Sequence, residues 1–343
     1  MASNLNTARK QKNDEFYTQL SDIEKELRHY KQHFKGKVVF CNCDDPYESN
    51  FFKYFAMHFN SLGLKKLIAT CYVGSPIAEN EIGLFKDGYI ADEPIPKKGK
   101  RAIQFRISEI PDMNGDGAID LRDAELLIKK RHPYRILHGD EKYLAGDFRS
   151  KECIELLKEA DIVVTNPPFS IAREYVQILM EYRKEFLIIG DLNWITYKEI
   201  FPLLKNNLVW LGYNSVKQFM QANGSLKKFG NKLWFTNLDI KKRHDLLDLY
   251  KEYDEEEYPK YDNYDAINID KTAEIPCDYD GIMGVPISFL DKYNPDQFEI
   301  IGMSANGAVP NYIKLPWATK HNNPFINGKP IYQRIFIKRK KEE

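Results

Sequence analysis

The chain has 343 residues with equal numbers of basic and acidic side chains, and this formal charge of zero argues against nucleic-acid binding through overall charge alone. No apolar run reaches the roughly 20 residues of a membrane span, and the length suits one large domain with a smaller one. The opening Met1-Ala-Ser-Asn-Leu-Asn6 lacks the basic start and apolar stretch of a secretory signal, so the expectation is a soluble, cytoplasmic protein.

From the N-terminus, Asn13-Asp-Glu-Phe-Tyr-Thr-Gln19 precedes a polar amphipathic helix and reads, taken alone, as that helix's cap. The first strand is expected over Lys37-Val-Val-Phe-Cys-Asn42. Asn42, Asp44 and Asp45 follow it, where a cofactor amine or ribose would lie, although Asp44 and Asp45 serve equally as an Asx turn capping the next helix. The glycine-rich loop that usually lets backbone approach a nucleotide cofactor is replaced here by Tyr47-Glu-Ser-Asn50. A crossover helix is predicted from the spacing of Phe51-Phe-Lys-Tyr-Phe-Ala-Met-His-Phe59, then a second strand over Lys66 to Val73. Cys41, Cys43 and Cys71 sit in strand-like context while Cys153 and Cys277 stand apart, which gives neither a disulfide framework nor a Cys-x-x-Cys metal site.

Roughly Gly74 to Asp140 is too long and too rich in Pro, Gly and charge for a simple crossover and reads as an insertion. Within it, Asp112-Met-Asn-Gly-Asp-Gly-Ala-Ile-Asp-Leu-Arg-Asp123 has the spacing of an EF-hand loop, with Asp112, Asn114, Asp116, Ala118, Asp120 and Asp123 as the candidate calcium ligands. The same residues also make solvated turns and helix caps. A bound ion there is expected to shape the inserted arm and to take no part in catalysis.

Further strands are expected at Lys142-Tyr-Leu-Ala145, Asp161-Ile-Val-Val-Thr165 and Glu185-Phe-Leu-Ile-Ile-Gly190, with a helix over Ile171 to Met180 and a closing hairpin from Leu208 to Tyr213 and Lys232 to Thr236. Asp147, beside Phe148, precedes the helix leading into the Asp161 strand, where its carboxylate could accept from a cofactor's adenine amine. The loop Asn166-Pro167-Pro168-Phe169 is the sharpest chemical signal. Its two prolines stiffen the backbone and remove amide donors. The Asn166 side-chain oxygen and the Pro167 carbonyl then offer two acceptors to the hydrogens of an exocyclic amine, and Phe169 offers a ring for stacking. The plainer alternative is an Asn-Pro turn with a buried Phe.

Beyond Lys241 the periodicity weakens into a Tyr-, Asp- and Pro-rich region with a basic end, read as a second module. Basic clusters stand at Lys97 to Arg101, Lys129 to Arg131, Lys241 to Arg243 and Lys338 to Lys341, against the acidic run Asp254 to Glu257. Such runs are either solvated faces or phosphate contacts.

Taken together, Asn13 to Gln19, Phe40 to Tyr54, Asn166 to Phe169 and Pro286-Ile-Ser-Phe-Leu-Asp-Lys-Tyr-Asn-Pro295 resemble the EcoRI-type adenine-specific DNA methyltransferase family through most of the chain. The apolar strand runs and their crossover helices give the expected fold, α/β: a Rossmann-like, doubly wound, mostly parallel seven-stranded sheet with an insertion and a smaller C-terminal recognition module. The insertion and the weakened periodicity after Lys241 divide the chain into an expected catalytic domain over residues 1–74 and 135–240, an inserted arm over 75–134 and a target-recognition module over 241–343. The resemblance implies transfer of a methyl group from S-adenosylmethionine to the exocyclic amine of adenine in duplex DNA, with the base flipped out. By the same resemblance Phe16, Tyr17, Thr18, Asn42, Asp44, Asp45, Asp147, Phe148 and Asn166 would meet the cofactor, and Asn166, Pro167, Pro168 and Phe169 would be catalytic. The second strand departs from the pattern, since Thr70-Cys-Tyr72 offers no acid for the cofactor ribose.

Two rivals belong to other classes. One is a methyltransferase acting on RNA or on a protein glutamine, because the same four-residue loop serves both. The other is a non-catalytic, calcium-stabilised DNA-binding protein, suggested by the missing glycine loop. No restriction-nuclease signature is evident, and a companion restriction endonuclease is not deducible from the chain.

Overall fold

The computed structural model describes residues 17–43, 49–71, 102–120, 122–124, 126–127, 134–220, 226–305, 308–315 and 323–340. In chain order its elements begin with β1 (Tyr17–Thr18), α1 (Leu20–Leu27), α2 (Lys31–Phe34), β2 (Val38–Cys41), α3 (Asn50–Met57), β3 (Lys66–Thr70), β4 (Ala102–Ile107) and β5 (Tyr134–Leu137). Then come α4 (Lys151–Glu159), β6 (Ile162–Thr165), α5 (Ala172–Glu181), β7 (Glu185–Asp191), α6 (Phe201–Lys205), β8 (Trp210–Met220) and β9 (Leu226–Thr236). The chain divides into two compact units, one holding residues up to Leu192 with Asn214–Leu238, the other Asn193–Tyr213 with Asp239 onward.

A nine-stranded sheet runs in the order β1-β8-β9-β7-β6-β2-β3-β4-β5. Only its centre is parallel: β3 with β2, β2 with β6, and β6 with β7. Both flanks are antiparallel, with β3 against β4, β4 against β5, β7 against β9 and β1 against β8. The expectation of a mostly parallel, seven-stranded, doubly wound sheet is thereby corrected to a mixed sheet. The reason is local. Residues 142–145, read as a strand, form turns instead, because the Asp140 carboxylate accepts from the amides of Lys142 and Tyr143 at 2.9 Å each and folds that stretch back. The place beside β3 is taken by β4, from within the stretch read as an insertion, and β4 enters in the opposite direction.

The central strands are buried along their length, as Val-, Ile- and Phe-rich runs covered on both faces must be. The helix expected over Phe51 to Phe59 forms as α3, starting where the Ser49 hydroxyl accepts from the amides of Phe51 and Phe52. It buries Phe51, Phe52, Tyr54 and Phe55, and Phe51 meets Trp234 of β9 edge-on at 5.8 Å. The Ser150 hydroxyl likewise accepts from the Cys153 amide at the start of α4.

The second unit carries its own sheet, built from β10 (Ile267–Asn268), β11 (Met283–Pro286), β12 (Phe298–Met303) and β15 (Arg334–Arg339) in the order β10-β11-β15-β12. A two-stranded ribbon of β13 (Phe325–Ile326) and β14 (Lys329–Pro330) accompanies it. Tyr261, Tyr264, Ile301, Val309, Ile313 and Phe336 pack into one apolar cluster. Buried Arg334 donates to Asn268 at 3.1 Å and meets Asp270 at 3.3 Å, so the interior cation is paired. No described helix is long and apolar enough to cross a membrane.

Candidate active site

The carboxyl ends of β2, β3 and β6 are fastened to one another by side chains. Asn42, the residue after β2, is buried, and its side-chain oxygen accepts from the Thr70 hydroxyl at 3.1 Å and from the Cys43 amide at 2.8 Å. Cys43 stands at φ 64°, so the chain turns sharply at this point. The Thr165 hydroxyl, at the end of β6, donates to the Asn42 backbone carbonyl. Gly146, at φ 76°, lies so close to the Cys71 carbonyl beyond β3 that any side chain would collide with it. Asp147 follows directly, so the predicted cofactor residues Asn42 and Asp147 are gathered at one sheet edge.

Asp147 is held in a fork. Both its oxygens receive hydrogen bonds from Arg149, Nε at 2.9 Å and NH2 at 2.7 Å, while the other guanidinium arm reaches Glu174 at 2.8 Å. The fork holds the Arg149 guanidinium above its ordinary value, chiefly through the bonds to Asp147. Phe148 turns the other way: it is buried, with its ring edge-on to Tyr175 at 5.0 Å. Thr18 lies in β1, and its carbonyl accepts from Asn50 at 2.7 Å at the first residue of α3. Tyr17 is in the same short strand, whereas Phe16, Asp44 and Asp45 lie outside the described residues.

Asn166 leaves β6 directly, with its side-chain oxygen enclosed. Pro167 is buried and Pro168 half-buried, and Phe169 opens a short 3-10 turn into α5. The Phe169 ring stands edge-on to Phe219 of β8 at 6.3 Å, and Phe219 stands edge-on to Phe229 of β9 at 5.5 Å. Because Phe219 pairs across the sheet with Thr18, the N-terminal motif and the Asn-Pro-Pro-Phe loop are brought together through one residue. Phe219, Phe229, Asp191 and Asn231 carry no signal of a site in the sequence, and they gather here with Lys232. Lys232 is buried, its ammonium 2.5 Å from Asp191 and 4.3 Å from the Phe169 ring centre. Its one signal in the chain is its place at the head of the predicted strand Lys232 to Thr236, which reads equally as a solvated strand end.

The Asp112–Asp123 oxygens are taken up by the loop itself. Asp112 accepts from Gly115 and Gly117, Asp116 from Asn114 and Ala118, and Asp120 from Arg122. Buried Asp123 accepts from the Asp120, Met113 and Asn114 amides, which hold its carboxyl below the usual carboxylate range. Among the described residues no group of three His, Cys, Asp or Glu side chains is placed to hold a metal ion.

The donor set fits S-adenosylmethionine, a ligand rich in N–H and O–H groups. The Thr18 hydroxyl is buried with no hydrogen-bond partner among the described residues, and the fixed Asp147 carboxylate keeps acceptor capacity beyond its three bonds from Arg149, one of them from the backbone amide. A proline-stiffened, acceptor-rich loop at this edge defines a class, the transferases that act on a planar amine. The chain matches the model of the adenine-specific methyltransferase EcoRI family over residues 4–340. It is 44% identical to the Type II methyltransferase M.EcoRI of Escherichia coli, with 98% of this chain and 96% of that protein covered. It is also 37% identical to the Type II methyltransferase M.MpnI of Mycoplasma pneumoniae and 34% identical to M.MgeORF184P of Mycoplasma genitalium, covering 98% of each chain in both cases. No solved structure matches. The chain belongs to the EcoRI adenine-specific methyltransferase family, and it is an adenine-specific DNA methyltransferase with S-adenosylmethionine as methyl donor.

Proposed function

We propose that Asn166, Pro167, Pro168 and Phe169 receive the target adenine of duplex DNA. The carrying observation is the Thr165–Asn42 tie, which sets the root of this loop against the strand end where the cofactor residues gather. The adenine amine is buried in the stacked duplex, so the base is flipped out to reach the loop. The Asn166 oxygen and the Pro167 carbonyl accept the two amine hydrogens. This draws the nitrogen lone pair away from the ring and points it at the electrophilic methyl that S-adenosylmethionine supplies. Phe169 stacks on the base. The N–C bond would form as the methyl–sulfur bond breaks, its electron pair staying on sulfur, and the proton lost from nitrogen leaves along one of these two hydrogen bonds.

Thr18, Asn42, Asp147 and Asn166 are assigned to the cofactor, with Phe16, Tyr17, Asp44, Asp45 and Phe148 completing the motifs. Residues 241–343 are assigned to target recognition, the basic run Lys338 to Lys340 on β15 and beyond it supplying phosphate contacts. The Asp112–Asp123 loop shapes its arm, its carboxylates folding the loop onto its own amides.

The test is Asn166→Ala with labelled cofactor and duplex DNA. Transfer should fall by about 10²-fold or more, the scale seen when one transition-state hydrogen bond is lost, with cofactor affinity within about twofold. Transfer at the wild-type rate would overturn the assignment.

A further inference from the structure

Three phenylalanine rings and one buried ammonium form a closed set beside the Asn-Pro-Pro-Phe loop. Lys232 of β9 lies directly across the ladder from Asp191 of β7. Its ammonium makes a 2.5 Å contact with the Asp191 carboxylate, and the Asn231 side chain holds both oxygens of that carboxylate at 3.0 Å. The same ammonium is 4.3 Å from the Phe169 ring centre and 4.9 Å from that of Phe229, so it bridges the catalytic loop and the β8–β9 hairpin. Phe219 touches both rings edge-on and closes the set. A lysine this enclosed is costly to desolvate, and an apolar side chain of the same length would pack without that cost. Besides Asp191, the charge meets the rings of Phe169 and Phe229, and the nearer of the two is Phe169.

We infer that Lys232, anchored by Asp191, is a positioning residue for Phe169: the cation holds one face of the ring and thereby sets the plane on which the flipped adenine lies relative to Asn166. This rests on the assignment of the loop to the target base. Attraction between an ammonium and a ring face is directional and strengthens when water is excluded, so it fixes ring tilt in a way that apolar packing alone does not. The consequence is for the chemical step. A base lying at the wrong tilt still binds, but its amine misses the two acceptors and the methyl, and misplacement on the ångström scale costs on the order of 10²-fold in rate.

The experiment compares full-length wild type, Lys232→Met, Lys232→Arg and the double variant Asp191→Asn/Lys232→Met, with Asn166→Ala run in parallel. Each is assayed with labelled S-adenosylmethionine on unmethylated genomic duplex DNA, giving kcat and the KM for cofactor, and each is melted. Lys232→Met should lose at least about tenfold in kcat with the cofactor KM within about twofold, and Lys232→Arg, which keeps both charge and ring contact, should recover most of the loss. The double variant removes the stranded carboxylate, so it should melt near the wild type and still be slow. Wild-type kcat in Lys232→Met, or recovery of kcat in the double variant, overturns the inference. If Asn166→Ala is inactive while Lys232→Met is fully active, the positioning role alone fails; if Asn166→Ala is active, the loop assignment fails with it.

Discussion

The hydroxyl of Thr165 donates to the backbone carbonyl of Asn42, so the last residue of β6 is tied to the first residue past β2. Both are buried, and the Asn-Pro-Pro-Phe loop begins at the residue after Thr165. Thr165→Val keeps the β-branched shape but leaves that carbonyl without the donor. The expected cost is about 1–3 kcal/mol of stability, read from urea unfolding. A rise in the KM for S-adenosylmethionine should accompany it, because Asn42 also positions Cys43 and Thr70. An unchanged unfolding midpoint together with an unchanged KM would show that the tie is idle.

Glu26, at the end of α1, is fully buried and accepts from the Tyr30 hydroxyl and from both the backbone and side-chain nitrogens of Asn214, each at 2.8 Å. It thus anchors the helix to β8, the strand that carries Phe219. Glu26→Ala strands the Asn214 amide and the Tyr30 hydroxyl and should cost roughly 2–4 kcal/mol. Glu26→Gln, which keeps one acceptor, should cost less. Equal unfolding midpoints for the two variants would count against a role for the acceptor.

Asp123 predicts a pH dependence. The amides of Asp120, then Met113 and Asn114, hold its folded carboxyl below the usual range, so ionised Asp123 stabilises the folded arm. That contribution is fully present above the unfolded value near about 3.9 and is lost as pH falls through the lower, folded one. Asp123→Asn should therefore melt below the wild type at pH 7, and the gap should close only below about pH 4. A gap that closes between pH 7 and pH 5 would contradict this.

The place of the Asn-Pro-Pro-Phe loop at a strand end was legible in the chain because its signals are local. A strand followed at once by Asn166-Pro-Pro-Phe169 names both the place and the chemistry, since prolines act on their own residue and the one before. The helix at Asn50–Met57 followed from periodicity in the same way, and so did the outer ends of β8 and β9, whose inner parts, to Met220 and from Leu226, were not expected as strand. Strand direction was not legible. An apolar run has the same pattern whichever way it enters a sheet, so β4 could pair antiparallel with β3, and β5 antiparallel with β4, without any mark in their sequences. Buried Gln104 and half-buried Arg106 further disguised β4 as part of a solvated arm.

Residue type and spacing alone thus determined the reaction class, through the acceptor-rich loop, and the family, through its longer strings. Tertiary structure decided which groups share the site with that loop. Lys232 and Asp191 are 41 residues apart, and Phe219 lies far along the chain from both Thr18 and Phe169. Only the register of β9 on β7 and of β1 on β8 brings them together. The energy of a buried charge or an edge-on ring depends on what lies within a few ångströms in space, and neighbours along the chain do not determine that.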